Sequence, residues 1–156
     1  GHLVLSTLHT NDSVSAVIRL IDMGIEPYLA AGSLLGAVAQ RLVRTLCPEC
    51  AAEEKAPALF QKEGVSSVFR GKGCMHCMGT GFRGRVGLYE QFVLDDELRE
   101  AVGSGMSLAK IRELARKKGF RTLWELGLDA VRQGRTSPEE LLRVVSAGEF
   151  GPAGER

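Results

Sequence analysis

The sequence predicts an α/β chain in three segments: a strand and helices over residues 1–46, a cysteine-bearing module over 47–93 and a small helical bundle over 94–150, with a disordered tail at 151–156. Three observations carry this reading. Near the start, an apolar run has the unbroken hydrophobicity of a buried strand and is followed by apolar residues at helical spacing. All four cysteines fall into two pairs with the same two-residue gap, Cys47-Pro-Glu-Cys50 and Cys74-Met-His-Cys77. From Asp95 onward apolar residues recur with helical period behind two capping boxes.

The run His2-Leu-Val-Leu-Ser-Thr-Leu-His9 is the strand, and it has no visible partner. A lone strand leaves its backbone N–H and C=O groups unpaired, so the sheet flanking residues 3–6 is expected in sequence preceding Gly1. On that ground the chain reads as the C-terminal piece of a longer protein. Asn11, Asp12 and Ser13 offer capping oxygens to a first helix, Val14, Val17, Ile18 and Ile21 form its apolar face, and Gly24 closes it. Pro27 suits the first turn of a second helix. The small residues Ala30, Ala31, Gly32, Gly36, Ala37 and Ala39 extend that helix to about Leu46 in a closely packed layer. Up to Leu46 the formal charges are Asp12, Arg19, Asp22, Glu26, Arg41 and Arg44, a sparse set that suits a covered surface.

The cysteine spacing points to structural zinc. A two-residue gap lets both thiolates of a tight turn face one ion, and two such turns complete the four soft ligands of tetrahedral Zn²⁺. Cys47, Cys50, Cys74 and Cys77 are therefore the metal-ligand set, and His76 is not needed as a ligand. The stretch between the pairs is longer than in most zinc ribbons. It reads as an insertion, with a short helix over Pro57–Lys62. Gly79-Thr-Gly-Phe-Arg-Gly-Arg-Val-Gly87 then marks tight turns, and a strand is expected from Val86 to about Val93.

In the helical segment Thr122-Leu-Trp-Glu125 and Ser137-Pro-Glu-Glu140 are the two capping boxes, and Gly134 and Gly148 sit where helix ends call for a left-handed residue. Leu108, Ile111, Leu114 and Ala115, then Leu123, Leu126, Ala130 and Val131, then Leu141, Leu142 and Val145 give three apolar faces that can close on one another. Trp124 reads as their core anchor.

Composition narrows the function. Twenty Lys and Arg against nineteen Asp and Glu leave a formal charge of +1, so no basic field recruits nucleic acid or anionic lipid. No apolar run is long enough to span a bilayer, which argues against direct membrane insertion, and paired cysteines suited to metal favour a cytoplasmic setting.

Gly1-His-Leu-Val-Leu-Ser-Thr-Leu-His-Thr-Asn11 closely resembles the histidine box of the secretion ATPases, the motors of type II secretion and type IV pilus assembly. The later motifs keep that family's order: Gln40-Arg-Leu-Val-Arg44 leading into the first cysteine pair, the second pair, Gly81-Phe-Arg-Gly-Arg-Val-Gly-Leu-Tyr-Glu90, and a helical tail. The tetracysteine insert is similar to that of the assembly and secretion branch. The resemblance implies a RecA-like P-loop ATPase core and a homohexamer at the cytoplasmic face of an inner membrane. Such a motor couples ATP hydrolysis, with Mg²⁺, to movement of a membrane platform protein. No GxxxxGK[ST] loop occurs in the chain, so these residues alone are expected to be inactive.

By the same resemblance His9 lies near the terminal phosphate of ATP, where its ring can donate a hydrogen bond to a phosphoryl oxygen or to attacking water. Its other reading is a polar residue beside a helix start. His2 fits either a second role there or a buried hydrogen bond at a strand start. Arg41 and Arg85 are the basic candidates for nucleotide or for a subunit interface, against the ordinary reading of solvated surface. An alternative from another class is a zinc interaction module without nucleotide chemistry. Cys74-Met-His-Cys-Met-Gly-Thr-Gly81 matches one repeat of the zinc domain in DnaJ-type chaperones, although Cys47-Pro-Glu-Cys-Ala-Ala-Glu53 lacks its glycines.

Overall fold

A computed structural model describes residues 2–145, so Gly1, Gly148 and the expected tail at 151–156 lie outside the described residues. In chain order the elements are α1 (Ser15–Asp22), α2 (Pro27–Ser33), β1 (Gly36–Leu46), β2 (Ala51–Lys55), α3 (Ala58–Lys62), β3 (Ser67–Gly71), a 3-10 turn (Met75–Cys77), β4 (Phe82–Val93), α4 (Asp96–Gly103), α5 (Leu108–Lys117), α6 (Leu123–Arg132) and α7 (Pro138–Val144). Strand β1 pairs with β4, and β2 with β3. None of the described helices is long and apolar enough to cross a membrane. The chain divides into two compact units, Gly1–Ala39 with Glu90–Arg121 and Gln40–Tyr89 with Thr122–Arg156.

In the first unit the capping expected before α1 is made by Asp12, whose carboxylate accepts from the Ser15 N–H at 2.8 Å. The apolar faces of α1 and α2 meet those of α4 and α5 in a core of Val14, Val17, Ala31, Leu98, Ile111 and Ala115. Phe92 from the end of β4 stands edge-on to Phe120, with ring centroids 6.2 Å apart. Arg99 donates to the Ala31 carbonyl at 2.6 Å, satisfying an acceptor in the last turn of α2.

Two expectations for this stretch are corrected. Residues 2–10 form no strand, and Leu3, Val4 and Leu5 stand 74, 78 and 88% exposed. Neither two-stranded sheet among the described residues includes them, so no ladder there pairs their backbone groups. The second helix ends at Ser33 rather than near Leu46, and Gly36–Leu46 is a strand. Small residues there serve close strand approach: a Cβ on Gly36 would sit 2.8 Å from the Phe92 carbonyl oxygen.

In the second unit β2 and β3 run antiparallel, with Ala51 opposite Gly71 and Lys55 opposite Ser67. Helix α3 connects them, which realises the insertion between the cysteine pairs and the short helix expected within it. Phe60 of α3 packs against Trp124 of α6 with ring centroids 5.7 Å apart, so Trp124 is a core anchor. Leu123, Leu128, Val131 and Leu141 complete that core. Gly134, at φ +65°, takes the left-handed conformation expected after α6.

The Thr122–Glu125 capping box forms in both directions, with Thr122 N–H donating to Glu125 at 2.8 Å and Glu125 N–H to Thr122 Oγ1 at 3.3 Å. Only half of the second box forms. Ser137 Oγ accepts from the Glu140 N–H at 3.3 Å, but the Glu140 carboxylate turns to arginines instead. The single helical bundle is also corrected: α4 and α5 belong to the first unit, α6 and α7 to the second. Helical period shows which face is apolar, not which neighbour covers it.

Candidate functional site

The cysteine pairs are brought together by backbone turns in the second unit. The first pair comes directly after β1: Cys50 N–H and Ala51 N–H both reach back to the Cys47 carbonyl, at 3.3 and 3.0 Å. The second is the 3-10 turn, in which Cys74 N–H and Gly81 N–H both donate to Cys77 Sγ at 3.2 Å. Cys47 N–H donates to the Gly81 carbonyl at 2.9 Å and Lys72 N–H to the Cys50 carbonyl at 3.0 Å, which ties the two turns to each other. Gly81 is required by conformation and by space. Its φ is +75°, and a Cβ there would lie 2.5 Å from the Gly71 carbonyl oxygen.

The sulfur geometry tests the metal directly. A tetrahedral ion with Zn–S bonds of about 2.3 Å places its sulfurs about 3.8 Å apart. Cys47–Cys74, Cys50–Cys77 and Cys74–Cys77 sulfurs are separated by 3.9, 3.8 and 3.7 Å. All four sulfurs lie within 4.8 Å of one another, and the three measured separations are too long for disulfides. The four cysteines cluster as the sequence predicts, in a geometry compatible with Zn²⁺. His76 is exposed and stands outside the ligand set.

The thiols are electrostatically unequal. Burial pushes Cys47 up and pushes Cys50 up to about 12. Burial also raises Cys77, but the N–H groups of Cys74 and Gly81 overcome it and bring that thiol down to about 6.

The other predicted residues are dispersed. His2 and His9 are exposed on the irregular segment of the first unit. Arg41 lies on β1 and donates to the Gln40 carbonyl at 3.1 Å. Arg85 is exposed on β4 and, with Arg44, Thr80, Phe82 and Gly84, lines an open cavity of about 220 Å³ in the second unit.

The long-range partners of two buried carboxylates were not read from the sequence. Glu140 accepts from the Arg44 N–H at 3.0 Å, from Arg44 Nε and Nη2 at 2.9 and 2.7 Å, and from Arg143 Nη2 at 2.7 Å, while Arg44 stacks 4.0 Å over the Phe82 ring. Burial alone would raise the Glu140 carboxyl; the arginine hydrogen bonds outweigh it and hold it at about 2. Glu90 accepts from Ser13 N–H at 2.7 Å and from Ser13 Oγ at 2.6 Å. Its one sequence signal was an inward position on the alternating strand after Leu88.

The chain carries an irregular histidine-bearing segment followed by a tetracysteine cluster. Residues 1–143 match the family described as type II/IV secretion system protein. The chain is 49% identical over 144 residues to the type II secretion system protein HxcR of Pseudomonas aeruginosa, covering 92% of this chain and 28% of that protein. It is 44% identical over 150 residues to the type IV pilus assembly ATPase PilB of Thermus thermophilus, covering 91% and 17%. To the type II secretion system ATPase E of Vibrio cholerae it is 47% identical over 154 residues, covering 92% and 30%. The chain belongs to the type II/IV secretion system protein family. It spans less than a third of the length of these relatives. The match takes in both cysteine pairs and the segments on either side of them, which favours the secretion-family reading over a chaperone-type zinc module.

Proposed function

We propose that this chain is the C-terminal portion of an ATP-hydrolysing motor of type II secretion or type IV pilus assembly. The observation that carries the reading is the family match over residues 1–143, because it includes the histidine segment as well as the cysteine cluster. The relatives from Thermus thermophilus and Vibrio cholerae are named ATPases. In this reading residues 1–46 complete a RecA-like core whose phosphate loop and Mg²⁺ ligand come from another stretch of the parent. Residues 47–93 are a zinc module, and the helices that follow divide between the two units. The parent works as a homohexamer in the cytoplasm, peripheral to the inner membrane, and moves a platform protein there.

Zinc bound by Cys47, Cys50, Cys74 and Cys77 closes the shell with four thiolates and leaves no open position, so its contribution is structural. His9 is the candidate for chemistry. Its ring donates to the terminal phosphoryl group as charge redistributes, an interaction that strengthens in the transition state. His2 is a weaker neighbour in the same segment, and Arg41 and Arg85 serve nucleotide or the adjoining subunit.

The test is His9→Ala in the full-length ATPase. Hydrolysis is expected to fall by more than about tenfold while nucleotide affinity changes by less than about threefold, since the phosphate loop supplies most ground-state binding. Turnover at the wild-type rate removes His9 from the mechanism.

A further inference from the structure

Strand β4 carries near its end a residue that neither zinc nor nucleotide chemistry claims. Glu90 is 2% exposed, and its Oε1 accepts from both the backbone N–H and the hydroxyl of Ser13, itself 1% exposed. Bonds of 2.7 and 2.6 Å are in the range of charge-assisted contacts. The neighbouring Asp12 is gripped from a different element, by Arg112 of α5 at 2.6 Å, while it caps α1 through Ser15. Two consecutive residues, 12 and 13, are thus anchored to β4 and to α5 within one unit.

Burying a carboxylate is costly unless its lone pairs are met. The carboxylate does what an apolar residue cannot: it sets the register of the chain immediately after the histidine segment. Ser13 is four residues beyond His9, so at full extension the His9 backbone stays within roughly 14 Å of the anchor. Residues 2–10 have no regular structure of their own, and the anchors on Asp12 and Ser13 are restraints a few residues beyond His9.

We propose that Glu90 is a positioning residue for His9, holding the 9–13 turn through Ser13. The proposal rests on the reading of His9 as a contact to the terminal phosphoryl group. Loss of the clamp leaves nucleotide binding in place and lowers the rate of the chemical step, because small misplacements of a phosphoryl-contacting group cost turnover more than ground-state affinity.

The experiment compares E90Q, S13A, H9A and the E90Q/H9A pair in the full-length ATPase. Gln preserves volume and folding while removing the charge from both Ser13 bonds; the thermal midpoint checks the fold. E90Q is expected to exchange the amides of residues 11–13 at least about tenfold faster, to lose about tenfold in kcat and to keep KM within about twofold. S13A moves in the same direction by a smaller factor. E90Q/H9A is expected to be no slower than H9A, since both changes remove the same contact. Unchanged exchange in E90Q, or faster exchange with wild-type kcat while H9A is impaired, overturns the clamp and leaves His9 standing. Wild-type turnover in H9A refutes the His9 reading instead, and a kcat loss in E90Q that adds fully to that of H9A refutes the link between them.

Discussion

Replacing Glu140 by Gln tests the second unit at its most loaded polar contact. Glu140 has a side chain with no exposed surface and is bonded to Arg44 and Arg143, so strand β1 and helix α7 are held together through one carboxylate. Its depression from 4.5 to about 2 corresponds, at about 1.4 kcal/mol per unit, to about 3 kcal/mol of folding stability. The arginine side chains are 42 and 60% exposed, and solvent screening reduces this to about 2 kcal/mol. Because the folded-state value is lowered, the contribution is fully present above the unfolded value of 4.5 and is lost as pH falls toward about 2. Urea denaturation of wild type and E140Q should therefore differ by about 2 kcal/mol at pH 7, with the gap narrowing once pH drops below about 4.5. Comparing the two proteins at each pH cancels acid effects on the cysteine cluster that they share. A gap under about 0.5 kcal/mol at pH 7, or one that persists undiminished at pH 3, refutes the reasoning.

Purified protein should carry one zinc per chain, and Cys74→Ser should abolish it and unfold the cysteine turns; metal analysis with circular dichroism decides, and unchanged zinc in the variant excludes the site. Gly81→Ala should cost about 2 kcal/mol or more and speed zinc loss to a chelator, since it forces a side chain into a left-handed φ against the Gly71 carbonyl. Amides of residues 3–7 should exchange near the unprotected rate while Val17 exchanges slowly, because the former are exposed and outside both sheets and the latter is buried in a helix. The 156-residue chain by itself should release no phosphate from ATP, since it contains no phosphate-loop motif; magnesium-dependent turnover by the pure chain would refute this.

Features set by local chemistry were legible in the sequence. That each cysteine pair shares one turn follows from its spacing, because a two-residue gap constrains two sulfurs of one turn whatever surrounds them. The cap at Asp12, the box at Thr122 and Glu125, and the left-handed glycine after α6 likewise depend on backbone groups within a few residues. Features that depend on distant partners were not legible. Residues 36–46 looked helical because their exposed face carries Val38 and Leu42, which erases the alternation of a half-buried strand, and only pairing with β4 decides their conformation. Residues 2–9 have strand-like composition but no strand beside them, and hydrophobicity without hydrogen-bond partners does not make a sheet. Glu140 fits a capping box in sequence and an ion pair in space, since the Arg44 fork 96 residues away offers its carboxylate stronger bonds than one backbone N–H. Glu90 and Ser13, 77 residues apart, meet only because the core folds them together. Short-range stereochemistry is written in neighbouring residues, whereas the choice among satisfied partners belongs to the packed chain.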